Sequence, residues 1–271
     1  MEAARSMPTV QSGARVGYGR RIAVKPQRGC EMWSKCMRLV KIRMSIQEFH
    51  QLPRHAAYKY EYLDGEAWLS PRPKTYHALL DLHPPEESAD AGRVMTRQIS
   101  ADDWDDLAGL FSAAFRDRPP FLGLDDKKRR AAAHAILENA RTGGDGPLIE
   151  QAAFIARLKH HDGPAGGIVV TLLPASDLSD WRSFHWAEPP PPDAIAHKLG
   201  RPHLTWIFVH PFAAGRGVAT ALLHAATREL LALGYAELAS TFLLGNESSM
   251  IWHWRNGFRL AASPFSRRKS D

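Results

Sequence analysis

The stretch that most constrains how this chain can fold is TWIFVHPFAAGRGVATALLHAA, Thr205 to Ala226. A β-rich run ends at Pro211, Gly215 and Gly217 follow with one residue between them, and helical apolar spacing begins at once. Glycines between a strand end and a helix start let backbone amides point into one space, where the helix dipole adds partial positive charge. The turn is therefore either a plain connection or an anion site, for phosphate above all. A P-loop is excluded, because Gly-x-x-x-x-Gly-Lys-Ser/Thr is absent. A dinucleotide fingerprint fits poorly, since Thr220 stands where a third glycine is wanted and Pro211 to Ala214 separate strand from glycines.

The segments around this turn give the fold class. RVMTRQI from Arg93 reads as a strand, and Ser100 caps a helix carrying Trp104, Leu107, Phe111 and Phe115 at helical spacing. A second helix is expected over 126–141, ending at Gly143-Gly144. PLIEQAAFIARL and AGGIVVTLL read as two strands, followed by an irregular insertion over 174–202 that contains Trp181, Phe184, His185 and Trp186. Then come the strand HLTWIFVH, a helix over 215–233 closed by Gly234, the strand AELASTFL, a helix from Asn246 and a last strand FRLAA. Strands first, then β-α-β-α-β, predict an α/β (α+β) architecture, a mixed central sheet flanked by helices.

Upstream, YKYEYLDGEAWLS at 58–70 alternates around Asp64-Gly65 and predicts a hairpin that packs on the main domain, followed by a proline-punctuated stretch to about Pro85. It resembles the opening hairpin of Uma2-like endonucleases, but the Glu-x-Lys on which that family's metal site depends occurs nowhere in the chain, so the segment is read as structural. Ser45 and Glu48 have capping-box spacing, and Met44 is expected to be the initiator, with the upstream residues an over-extended reading frame.

Charge argues against a nucleic-acid reading for the body of the chain and leaves it open only through a basic arm over 1–43. Residues 1–43 hold ten Lys/Arg against two acids, whereas the remainder holds 25 basic and 27 acidic residues, so the formal +6 belongs to a basic tail expected to be disordered. Residues 263–271 form a second, short basic tail. Cys30 and Cys36 lack the further Cys/His pair of a zinc site, and no metal is expected. Apolar runs such as GGIVVTLLP are strand-length, against the ~20 residues a membrane helix needs. With no signal-peptide core, a cytoplasmic protein without a membrane partner is expected. A homodimer is left open.

Two motifs carry a family resemblance. Val209-His210-Pro211 followed by Gly215-Arg216-Gly217-Val218-Ala219 resembles motif A of the GNAT superfamily of N-acetyltransferases, Val-x-Pro, a spacer, then Gln/Arg-x-x-Gly-x-Gly/Ala opening a long helix. Ala214 occupies the Gln/Arg position, Gly217 the glycine and Ala219 the Gly/Ala. NESSMIWHWRNGF, Asn246 to Phe258, keeps a second spacing of the family, Asn-x-x-Ala-x-x-Leu-Tyr-x-x-x-Gly-Phe, with Ser249 for Ala, Trp252 for Leu and His253 for Tyr. The resemblance covers roughly residues 93–262, leaving 44–92 as an N-terminal helix and hairpin segment.

The resemblance implies acetyl transfer from acetyl-CoA to a primary amine, on a small molecule or peptide, by direct attack in a ternary complex. It also implies that the strand ending at Phe208 and Val209 splays from its parallel neighbour and hydrogen-bonds the pantetheine. Ala214, Gly215, Arg216, Gly217, Val218, Ala219 and Thr220 would cradle the pyrophosphate, and Asn246 would contact the pantetheine near the thioester. His253 takes the place of the family's general acid and as an imidazolium could protonate the departing thiolate; a histidine filling the space of the Tyr is the other reading. His203, His210 and Glu247 are candidate bases, none singled out, and His210 also reads as shaping the turn before Pro211. Trp252 and Trp254 are expected in the core. Trp181, Phe184 and Trp186 fall where the family varies its acceptor pocket, which suggests an apolar or aromatic acceptor. The losses at Ala214 and His253 keep a second function in view, an acyl-CoA-binding sensor without catalysis.

Overall fold

A computed structural model describes residues 40–52, 58–71, 75–86, 92–118, 120–121, 123–175, 186, 188–243 and 246–261. Two sheets organise them. The smaller has the order β1-β3-β2, formed by β1 (Val40–Arg43), β2 (Tyr58–Leu63) and β3 (Glu66–Pro71). The expected hairpin is β2 and β3, turned at Asp64 and Gly65 with φ of 50° and 78°. The short helix α1 (Ile46–Gln51) starts at the expected capping box, in which Glu48 N donates to Ser45 Oγ and Ser45 N to the Glu48 carboxylate. One boundary changes. Val40–Arg43, assigned to the tail from their charge, pair with β3 from Val40↔Leu69 to Arg43↔Glu66. The ordered body therefore reaches back past Met44; residues 1–39 and 262–271, which hold most of both tails, lie outside the described residues.

The larger sheet has seven strands in the order β10-β4-β9-β8-β7-β6-β5. Its members are β4 (Thr75–Asp81), β5 (Val94–Gln98), β6 (Phe154–Leu158), β7 (Pro164–Pro174), β8 (Gly200–Val209), β9 (Glu237–Leu243) and β10 (Arg259–Leu260). Every neighbouring pair is antiparallel except β8 with β9. The mixed, mostly antiparallel sheet flanked by helices is the expected fold. The proline-punctuated stretch after the hairpin holds a strand the sequence pattern did not mark: Thr75 to Asp81 pair residue by residue with Leu243 to Glu237. PLIEQAAFIARL is also not one strand. Pro147–Ile149 run against β7, a 3-10 turn at Glu150–Ala152 interrupts, and only Phe154–Leu158 continue the ladder.

Helices cover both faces. On one, α2 (Trp104–Ala114) and α3 (Asp126–Arg141) bury Leu107, Phe111 and Leu137 against Ile155, Val169, Trp206 and Phe208. Phe111 sits at the centre of this packing, its ring edge-on to Phe121, Trp206 and Phe208 with centroids 4.8–5.4 Å away. The entry to α2 is fixed by Asp103, whose carboxylate accepts from Arg97 and from Ser100 N and lies well below the ordinary carboxylate range, chiefly because of the Arg97 bonds. On the other face α4 (Val218–Ala232) buries Val218, Leu222, Ala226 and Leu230 on Ile168, Val170 and Leu238. α5 (Glu247–Arg255) follows β9 and packs Trp252 and the following Phe258 against the same cluster. The small sheet joins the large one through Leu243, which shares a cluster with Phe49, Tyr58, Ala67 and Leu69.

Candidate active site between two splayed strands

β8 and β9 are parallel neighbours that pair only at His203↔Ala239 and Leu204↔Ser240. Beyond that point β8 stays on β7 and its other edge opens. The cause lies in β8 itself: Val170 faces Leu204 while Val169 faces Trp206, so Thr205 is an extra residue, a β-bulge that bends the strand. The opening is a small cleft of about 60 Å³. Leu204, Thr205 and Ile207 line it from β8, Ser240 to Leu243 from β9, Asn246, Ser249 and His253 from α5, and Phe115 from the end of α2.

At the far end of β8 the backbone turns into α4. His210 N donates to Ala165 O and His210 Nδ1 accepts from Phe212 N, so this histidine braces a 3-10 turn over Pro211–Ala213. Gly215 and Gly217 take φ of 74° and 77°, a region costly for residues with a Cβ, and Gly217 is the N-cap of α4. The helix therefore starts at Val218, three residues later than its spacing suggests. The amides of Gly215, Gly217, Val218, Ala219 and Thr220 donate to no acceptor among the described residues. Ala214, Gly215 and Arg216 are exposed, so this row of donors at a helix N-terminus faces outward.

Asn246 caps α5: its Oδ1 accepts from Ser249 N at 3.2 Å and from the Ser248 hydroxyl at 3.0 Å, while the residue lines the cleft. Arg118 donates to Ser248 Oγ at 3.0 Å, tying the segment after α2 to the start of α5 across the cleft. His253 is 3% exposed and bonded at both ring nitrogens. Nδ1 lies 2.7 Å from the Ser249 carbonyl, which can only accept, so Nδ1 carries the proton and Nε2 accepts from Ser240 Oγ at 2.7 Å. The ring stacks on Phe242 and meets Trp252 and Phe258 edge-on. Burial lowers its pKa to about 4, partly offset by the Ser249 bond. An imidazolium at position 253 is thus populated at roughly one part in a thousand at pH 7. With Nε2 accepting from Ser240, the ring is packed as a histidine filling the space of the Tyr would be.

The other candidates separate. His203 lies at the vertex of the splay, Glu247 is exposed in the first turn of α5, and Phe208 turns its side chain into the core, leaving only its backbone to serve a ligand. Trp252 is partly buried as expected, but Trp254 is 75% exposed, because the outer face of α5 packs on nothing described. Trp186 is anchored by its Nε1 donating to Leu172 O, and Trp181 and Phe184 lie outside the described residues. Thr205, Ser240 and Thr241 entered no motif. Their signal is a run of hydroxyl residues inside apolar strands, WIFV after Thr205 and ELASTFL around Ser240-Thr241. Among the described residues there is no cluster able to hold a metal ion, and no helix long and apolar enough to cross a membrane.

The model of the acetyltransferase (GNAT) family matches residues 104–258. No curated protein matches the chain. Similar solved structures include aminoglycoside N-acetyltransferase AAC(6')-Iy in complex with the bisubstrate analogue CoA-S-monomethyl-acetylneamine, 23% identical over 66% of this chain and 99% of that one, TM-score 0.40. A GNAT family acetyltransferase from Brucella melitensis in complex with acetyl-CoA is 18% identical over 62% of this chain and 87% of its own, TM-score 0.40. The PaiA N-acetyltransferase from Thermoplasma acidophilum in complex with coenzyme A is 12% identical over 61% and 89%, TM-score 0.42. The family match spans more than half of the 271 residues and takes in the glycine turn, the splayed strands and the α5 motif, and the chain belongs to the GNAT acetyltransferase family.

Proposed function

We propose that the protein transfers the acetyl group of acetyl-CoA to a primary amine by direct attack within a ternary complex. The observation that carries this reading is the junction of two features: a cleft opened between β8 and β9, and a row of unbonded amides where β8 turns into α4. A ligand with an amide-rich arm and a pyrophosphate suits both. The backbone of Phe208 and Val209 would pair with the pantetheine as an added strand. The segment from Ala214 to Thr220 would hold the pyrophosphate through Gly215, Arg216, Gly217, Val218 and Ala219, and the loss of a polar side chain at Ala214 matters little where main-chain donors do the binding. Asn246 would reach the arm with its amide nitrogen while its Oδ1 keeps α5 capped. The acceptor would enter on the side of Phe115, Thr205 and Thr241. No metal takes part in this scheme. The acetyltransferase unit is proposed to start at Thr75 rather than at residue 93, because β4 belongs to its sheet.

Acetyl-CoA at 100 times its dissociation constant is expected to stabilise the protein by about 2.7 kcal/mol, read as a rise in Tm. No rise would overturn the reading at its root. Release of free thiol with a panel of primary amines then separates an enzyme from a sensor, since a sensor would show the stabilisation without the thiol.

A further inference from the structure

A file of hydrogen-bonded side chains crosses four adjacent strands beneath the cleft. Starting on β4, His77 Nδ1 lies 3.0 Å from Thr241 Oγ1, and Thr241 Oγ1 lies 3.1 Å from His203 Nε2. His203 Nδ1 lies 3.2 Å from Thr205 Oγ1, and Thr205 Oγ1 lies 2.8 Å from Thr171 Oγ1. Thr171 Oγ1 ends the file 2.9 Å from the backbone carbonyl of Asp145.

That last partner fixes the direction of every bond. A carbonyl only accepts, so Thr171 donates its single proton to Asp145 O and its oxygen accepts from Thr205. Thr205 also lies 3.2 Å from the His203 carbonyl, but its one proton serves the shorter contact to Thr171. Thr205 Oγ1 then accepts from His203 Nδ1–H, which leaves His203 Nε2 as a lone pair that accepts from the Thr241 hydroxyl. Thr241 Oγ1 in turn accepts from His77 Nδ1–H. The bulge is what brings Thr205 into line with Thr171 and His203, so the feature that opens the cleft also sets the histidine tautomer.

Thr205 and Thr241 both line the cleft. We infer that Thr241 is the group that takes the proton from the attacking amine, passing its own proton to His203 Nε2, with Thr205, Thr171 and the Asp145 carbonyl holding His203 in the accepting tautomer. The inference rests on the proposed acetyl transfer. In the step, the lone pair of the neutral amine forms the C–N bond at the thioester carbon, and the C–S bond breaks with its electron pair going to sulfur. The amine N–H proton moves to Thr241 Oγ1 as the Thr241 proton moves to His203. The proton then returns through the same hydroxyl to the thiolate, leaving amide, free thiol and the file as it began. A protonated amine gives up its first proton to solvent before attack. Burial, with His77 from β4 and His253 from α5 adding to it, lowers the His203 pKa to about 3, so Nε2 holds the proton only through the step and gives it up to the thiolate. Thr241 is thus the catalytic residue, and His203, Thr205 and Thr171 are positioning residues.

Two measurements test this. In the wild-type protein at pH 7, nitrogen NMR of the imidazoles is expected to show His203 protonated at Nδ1 and bare at Nε2; a proton on Nε2 would overturn the inference without any substrate. Free-thiol release from acetyl-CoA is then followed with water as acceptor, since attacking water must also lose a proton, and with the amine panel. Thr241→Val is expected to lower release at least about tenfold, with the acetyl-CoA stabilisation kept and Thr241→Ser restoring the rate. A Thr241→Val rate within twofold of wild type would sink the relay while the acetyl-CoA reading stood. Acetyl-CoA binding with no thiol release from wild type under any condition would overturn both the relay and catalysis, and absence of binding would remove the proposed function itself.

Discussion

His253 is held at both ring nitrogens, and replacing the ring leaves the buried Ser240 hydroxyl behind, whereas the Ser249 carbonyl stays within the helix ladder of α5. His253→Phe keeps the flat stack on Phe242 but orphans the Ser240 hydroxyl, and is expected to cost about 1–3 kcal/mol at pH 7.5. The pH dependence works the other way. The folded pKa of about 4 lies below the ordinary value of 6.5, so the stabilising difference is present above 6.5 and is lost as pH falls toward 4, because the unfolded chain binds the proton first. At pH 5 the wild type has lost roughly 2 kcal/mol through this one group, a loss the phenylalanine variant escapes. Urea unfolding at pH 7.5 and pH 5 should therefore show the gap between the two proteins closing on acidification. A gap that widened would mean that His253 is protonated in the folded state and would return it to the role of proton donor. Asp145 has the opposite sign. Burial raises its carboxyl to about 6 despite the Asn139 bond, so its protonation favours the fold as pH falls below 6 and partly masks the histidine effect unless the variant comparison is made.

β7 and α4 meet where β7 has no side chain to offer. A Cβ built on Gly166 would stand 2.7 Å from Val218 Cγ1 and 3.0 Å from Phe208 O, so the first turn of α4 sits directly on the strand. Gly166→Ala is expected to cost about 1–3 kcal/mol through overpacking and to lift that first turn, which carries the amides proposed for the pyrophosphate. Acetyl-CoA affinity should fall at least severalfold in a protein that still unfolds cooperatively; unchanged affinity by calorimetry would detach the helix start from the site. This contact shows why sequence reading reached some parts of the site and not others. Gly215 and Gly217 were legible because positive φ is a local demand that few residues meet. Ser45 was legible because a cap is decided within three residues, and Asn246 because it opens the second family spacing. The bulge at Thr205 depends on the register against Val169 and Val170, and the file from His77 to Thr171 depends on four strands lying side by side. Neither has a period or spacing of its own, and the hydroxyls looked like ordinary strand residues. His253 is a related case: the motif located its position, but its partners Ser240 and Phe242 are residues that the helix pattern does not contain.

β4 changes how the molecule divides. It precedes the first helix-bearing half of the domain in sequence, yet it lies between β9 and β10, with Ala78 and Leu82 in the core on the α4 side and Tyr76 packed against Phe242. A chain beginning at Arg93, where orderly patterning starts in the sequence, would leave β9 as an unpaired edge and β10 without its partner. It would also strip His77 from Thr241. That chain is expected to unfold non-cooperatively or aggregate, and to show no stabilisation by acetyl-CoA. A chain beginning at Lys74 keeps β4 and loses only the three-stranded sheet and α1, whose contact with the main body runs through Leu243. It should retain the cooperative transition and the acetyl-CoA response at reduced stability, since Leu243 would lose the cover of Phe49, Tyr58 and Leu69. Urea unfolding of both chains with and without acetyl-CoA distinguishes the two cuts. If the Arg93 chain matched the full protein in both transition and ligand response, β4 would be an accessory strand and the acetyltransferase unit would begin where the sequence pattern puts it.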